Sequence, residues 1–116
     1  MLAVACAGLL ASGCTNTVQV GRNRTVAVSL TEYRVRPDSI AATAGSVTFL
    51  VRNDGLLTHN LTVTRGSRTI AATAPIPPGG SARLTVDLSR GTYTVASAIQ
   101  SDQALGEHGT LQVRGR

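Results

Sequence analysis

The chain has no lysine and no tryptophan, one phenylalanine, two tyrosines and one methionine, and aromatic residues make up only 3% of it. So few aromatics leave almost nothing on which unpaired bases could stack, which argues against a reader of single-stranded nucleic acid. They also oblige any core to be built from Val, Leu, Ile, Ala and Thr. Both cysteines, Cys6 and Cys14, lie close to the start, so the rest of the chain can hold neither a disulfide nor a thiolate metal ligand. No apolar run approaches the about 20 residues that cross a bilayer as a helix. From Arg24 onward helical periodicity of any length is missing too. The Pro75–Gly80 stretch, PIPPGG, lacks the lysine and the following helix of a phosphate-binding loop.

What charge there is leans one way. Eleven arginines face six acids, a net charge of +5. Such a balance suits nucleic acid or an anionic membrane surface. The arginines are scattered, at 22, 24, 34, 36, 52, 65, 68, 83, 90, 114 and 116, and on strands of period 2 this reads as solvated faces. No nucleic-acid partner is expected; lipid headgroups fit better, given the N-terminus.

The longest apolar run, Leu2–Ala11 (LAVACAGLLA), has the length of a signal-peptide core. Small residues, Ala11-Ser12-Gly13, then precede Cys14 and resemble a bacterial lipobox, with Ala11 where Leu is usual. A basic segment before the run is missing, which points to a start assigned too late or to a truncated chain. The expectation is a lipoprotein signal peptide over 1–13, acylation of Cys14 with a polar tether over 14–24, and a domain over 25–116. The protein would then sit on the extracytoplasmic face of the cell membrane, held in the lipid through Cys14. The competing readings are a buried first strand or helix, and a Cys6–Cys14 disulfide or metal pair.

From Arg24 onward short alternating segments are separated by turn signals. Val26, Val28 and Leu30 alternate with Thr25, Ala27 and Ser29. Tyr33, Val35 and Pro37 continue the parity, and Ile40, Ala42 and Ala44 lead to Gly45. Val47, Phe49 and Val51 stop at Asn53-Asp54-Gly55, a strong turn signal. Leu61 and Val63 follow, then a weak strand over 69–74. Leu84, Val86 and Leu88 come next, then Tyr93, Val95 and Ser97 on one face, then Leu111 and Val113. Seven to eight strands at this spacing predict an all-β Greek-key β-sandwich.

An ordered set of motifs carries a resemblance: Tyr33-x-Val-x-Pro37, Ala44-Gly45-Ser46-Val47-Thr48-Phe49, Asn53-Asp54-Gly55 with His59-Asn60, Pro78-Gly79-Gly80-Ser81, Gly91-Thr92-Tyr93, and Gly106-x-x-Gly109-Thr110-Leu111. Together they resemble the cupredoxins, the small blue-copper β-sandwiches. The resemblance implies a cupredoxin-like sandwich with a metal end. It places the first ligand at His59 but puts Ser97 at the thiolate position, Asp102 at the second histidine and Glu107 at the axial methionine. It also implies that Asn60 clips two loops together. Blue copper needs a soft thiolate, and a serine hydroxyl is hard and stays protonated near neutral pH.

The expected role is therefore an envelope-anchored binding or interaction domain, with an envelope protein as partner and no resident cofactor. The alternative is a non-blue copper-binding or copper-handling protein of the electron-transfer family, in which His59 ligates with Asp102, Glu107 or His108; Cu(II) accepts such N,O sites. A remote alternative takes Ser97, His59 and Asp102 as a hydrolase triad, although Ser97 lies on a strand rather than a nucleophile elbow. No catalytic residue is assigned.

Overall fold

Alternation of apolar and polar residues decides the architecture. In the computed structural model, which describes residues 16–32, 34–99 and 108–115, His108–Arg114 forms a strand whose residues alternate between exposed and buried without exception. Gly45–Asn53 buries Val47, Phe49, Val51 and Asn53 and leaves the residues between them less covered. A strand with one apolar face has to pack that face against another sheet, and two sheets result.

The strands are β1 (Val18–Gln19), β2 (Thr25–Thr31), β3 (Arg34–Arg36), β4 (Ser39–Thr43), β5 (Gly45–Asn53), β6 (Thr62–Arg65), β7 (Arg68–Ala72), β8 (Ser81–Leu88), β9 (Gly91–Ala96) and β10 (His108–Arg114). One sheet has the order β1-β4-β10-β9-β6-β7 and the other β3-β2-β5-β8. No helix occurs among the described residues. Among the described residues ten strands stand where seven to eight are expected, because short edge segments such as β1 add to the count. Both residues of β1 are exposed, so no hydrophobic pattern announces it; it exists because it pairs in parallel with β4.

The core lies between the sheets. Val28, Leu30, Val47, Phe49, Val51, Leu61, Val63, Val95 and Leu111 are each at most 2% exposed. Phe49, the only phenylalanine, is completely covered. With so few aromatics, the filling is done by branched aliphatics, each contributing about 1.5–3 kcal/mol on burial.

The two ends of the sandwich differ. β5 ends, β6 and β8 begin, and β9 and β10 join at one end, so the connections 54–61 and 73–80 gather there. The opposite end carries the turn before β2, the β6–β7 and β8–β9 turns, and the finish of β10. At that end Arg24 has a left-handed backbone, φ 58°. Its guanidinium offsets the strain by donating to the Ser46 carbonyl, Thr43 Oγ1 and the Thr43 carbonyl at 2.8–2.9 Å. The stretch expected as a tether to residue 24 is thus docked along its later part: Val20 N–H also donates to the Ala41 carbonyl at 2.8 Å.

Candidate functional site

The loop that follows β5 is built on a buried amide. Asn53 is 0% exposed. Its Nδ2 donates to the carbonyls of Leu57 and Ile76, both at 2.8 Å, and its Oδ1 accepts from Gly55 N–H at 2.9 Å. Its backbone bonds to Gly79 and Gly80 of the 73–80 connection. One residue therefore ties the two loops together. Next to it, Asp54 accepts from Ser29 Oγ at 2.7 Å and from Arg52 Nε at 2.6 Å, and these lower its carboxyl pKa in that order of weight.

His59 follows, paired with Ile76 as an isolated antiparallel bridge: His59 N–H donates to the Ile76 carbonyl at 3.1 Å, and Ile76 N–H returns to His59 at 2.7 Å. The imidazole is 1% exposed, and its Nε2 lies 3.0 Å from Oε2 of Glu32, whose side chain is 27% exposed. The same oxygen accepts the N–H groups of Leu56 and Leu57, at 2.8 and 2.9 Å. The His59 bond first, then the Leu57 N–H, pull the Glu32 carboxyl down from 4.5 to about 2, against partial burial. Glu32 is thus a carboxylate near neutral pH. A carboxylate only accepts, so Nε2 of His59 carries a proton and donates it.

Across the end, Asn60 joins the chain after β9. Ser97, 0% exposed, accepts from Asn60 N–H at 3.2 Å and donates to Asn60 Oδ1 at 3.3 Å; the same Oδ1 accepts from Ala98 N–H at 2.8 Å. Leu56 and Leu57, the large apolar residues of the intervening turn, are 85% and 56% exposed.

The structure places the expected site residues unequally. His59, Asn60 and Ser97 meet at this end. His108 is exposed as the first residue of β10, opposite Ala96, sharing the outward parity of Thr110 and Gln112, while His59 is buried. Cys14, Asp102 and Glu107 lie outside the described residues, as does Tyr33. Among the described residues no three His, Cys, Asp or Glu side chains form a group able to hold a metal ion. Two residues that organise this end escape a reading of the sequence, Glu32 and Asn53. Asn53-Asp54-Gly55 does signal a turn, but nothing in it marks the first residue as a buried clamp. Glu32 is separated from His59 by 27 residues, and no local pattern links them.

The sandwich, with a histidine and a strand-end residue joined through an asparagine, can be compared with known proteins. A family model described as a cupredoxin-like domain matches residues 2–111. The chain belongs to the cupredoxin-like family. Solved structures agree on the fold. An auracyanin of Roseiflexus castenholzii is 20% identical with a TM-score of 0.73, covering 80% of this chain and 98% of that one. Rusticyanin of Thiobacillus ferrooxidans is 19% identical, TM-score 0.69, covering 84% and 82%. Auracyanin A of Chloroflexus aurantiacus, a "blue" copper protein, is 16% identical, TM-score 0.66, covering 78% and 99%. No curated protein sequence is a significant match.

The donors of this cupredoxin-like domain do not fit a blue-copper centre. No cysteine follows Cys14, and Ser97, which the resemblance puts at the thiolate position, is a buried hydroxyl engaged on both sides by Asn60 that offers no soft ligand. His59, which the resemblance puts at the first ligand position, has its Nε2 on Glu32.

Proposed function

We propose that the protein is a membrane-anchored, extracytoplasmic cupredoxin-like domain that acts by binding rather than by blue-copper electron transfer or catalysis. The observation that carries this reading is the Ser97–Asn60 pair. Where a copper thiolate would be needed, a hydroxyl with 0% exposure locks two loops together. Hydrogen bonds through Asn53, Asn60 and Glu32 hold the loops, and Leu61 and Ile76 tie them to the core. They present Leu56 and Leu57 to solvent at the tip, an apolar spot suited to an envelope protein partner. Burial of Ser97 also removes it from any substrate, which speaks against the hydrolase reading. Anchorage would come from acylated Cys14.

A second reading, pale Cu(II) binding or copper handling through His59, draws support from Glu32. Histidine ligands commonly donate their other ring N–H to a carboxylate, which fixes the ring for coordination, and His59 donates Nε2–H to Glu32. Titration with Cu(II) separates the readings. The wild-type protein is expected to develop no intense thiolate-to-copper absorption. The triple variant Ser97→Cys, Asp102→His, Glu107→Met is expected to turn blue, because with His59 it supplies two imidazoles, a thiolate and a thioether at the positions the resemblance assigns. An intense blue wild type would overturn the proposal. Weak binding lost in His59→Ala would put the second reading first.

A further inference from the structure

A sheet whose outer strand has no neighbour carries a row of unpaired N–H and C=O groups, and folded proteins blunt such edges with short strands, charges, proline or bulges. Three of the four edges here are blunted. β1 has two residues. β3 has three, runs Arg34-Val35-Arg36 and stops at Pro37. β7 has five, starts at Arg68, and its pairing with β6 shifts register. β8 is different. Its eight residues end the four-stranded sheet, contain no proline and pair with β5 in one unbroken register.

The direction of the free groups on β8 follows from β5. Asn53 N–H reaches the Gly80 carbonyl, on the β8 side, while Thr48 N–H turns to Arg24 on the β2 side. Alternation then assigns the backbone of Val47, Phe49 and Val51 to β8, where they meet Val86, Leu84 and Ala82. The backbone of Arg83, Thr85 and Asp87 points off the edge, and no strand pairs with it among the described residues. The side chains of these three are exposed, and Ala82 and Leu84 are only partly covered at the rim of the core. Arg83 and Asp87 have no ion-pair partner among the described residues, where the pairs are Arg52–Asp54 and His59–Glu32.

We propose that β8 is the contact strand of a two-fold dimer, and that its partner is the β8 of a second copy of this chain. An antiparallel pair centred on Thr85 sets Arg83 opposite Asp87 of the second copy, and Asp87 opposite its Arg83. All three positions are ones whose N–H and C=O point outward, so each facing pair can exchange both backbone hydrogen bonds. A slip of two residues either way keeps backbone bonds but places Arg83 opposite Thr85 or Ser89, without an acid. Opposite charges directly across favour the centred register, in which the strand is its own complement. On the inner face Leu84 meets Val86 of the second copy, which covers the partly exposed rim. The two-fold axis crosses the sheets, so both six-stranded sheets, each with β1 at its outer edge, lie on one side. Two anchored copies can therefore share one bilayer, and the pairing itself does not depend on an anchor.

Cross-linking reads the register. The full chain as Cys6→Ser/Cys14→Ser holds no thiol. In it, Thr85→Cys sets two thiols opposite each other with Cα atoms about 5.5 Å apart, within disulfide reach. Arg83→Cys sets them about 14 Å apart, beyond it. Mild oxidation with diamide should give a covalent dimer from the first and on the order of tenfold less from the second. Sedimentation equilibrium in mild detergent reads the charges. Arg83→Asp and Asp87→Arg each set like charges opposite and should weaken dimerisation on the order of tenfold. Arg83→Asp/Asp87→Arg restores opposite charges and should return it to within about threefold of the parent. The substituted side chains are exposed, so thermal unfolding should show the fold kept. The apolar N-terminal run is the same in every variant, so association through it cancels. A monomeric parent, no cross-link at Thr85→Cys, equal cross-linking at both positions, or a double variant no better than the single ones overturns the proposal.

Discussion

Glu32 concentrates three interactions on one oxygen, and its titration should be visible in stability. The carboxyl is held at about 2 in the folded protein against an ordinary 4.5. Folding thus favours the ionised form, and the contribution is complete above pH 4.5 and lost as pH falls from there toward 2. Thermal unfolding followed across this window should show a melting temperature that drops with acidification. The drop should be smaller in Glu32→Gln, which has no proton to gain at that position. Asn53 makes a complementary case without charge. Asn53→Ala leaves the carbonyls of Leu57 and Ile76 and the N–H of Gly55 without their partner. A destabilisation of roughly 3 kcal/mol is expected in chemical denaturation, with loosening of the 54–61 loop detectable by amide exchange.

Between elements, backbone comes close to backbone where β10 begins beside the crossing into β4. Thr110 N–H donates to the Asp38 carbonyl at 2.9 Å, and β10 then runs parallel to β4 from Thr110↔Ser39 to Arg114↔Thr43. Gly109 makes this possible, because a Cβ there would come within 2.9 Å of the Asp38 backbone, which cannot swing aside as a side chain would. Gly109→Ala should cost about 1–3 kcal/mol through overpacking and weaken the β4–β10 ladder first. Denaturant midpoints together with exchange of the Thr110 amide would report both. Loss of protection spread evenly over both sheets would contradict the local origin.

For the molecule as a whole, the residues before β2 belong to the folded unit. Val20 packs against the core and bonds Ala41, and Arg24 makes three hydrogen bonds to Thr43 and Ser46. A chain starting at Asn16 and one starting at Thr25 should both unfold cooperatively in reducing buffer, since neither contains cysteine. The shorter one should be less stable by about 2–4 kcal/mol, the cost of the lost bonds and packing. Equal stability of the two would mean that β1 and Arg24 only decorate the edge.

The sequence by itself determined the sandwich. Period-2 alternation in strands such as 47–51 and 108–114 can bury its apolar parity only between two sheets, and the ordered motifs around Gly45, His59 and Gly91 were enough to indicate the cupredoxin-like family. It also showed that no cysteine follows Cys14, because residue chemistry needs no coordinates. The partners were decided by tertiary structure alone. Glu32 reaches His59, and Asn53 reaches Ile76, across separations of 27 and 23 residues. Contacts of that range depend on how strands are ordered in the sheets, which no local period encodes. His108, adjacent in sequence to the expected ligand loop, was turned outward by the strand parity of β10. Six of the arginines that read as scattered, solvated faces along the chain share one end because three turns and one strand end converge there. The chain encodes each turn locally, but only the packing of the two sheets sets which turns lie together.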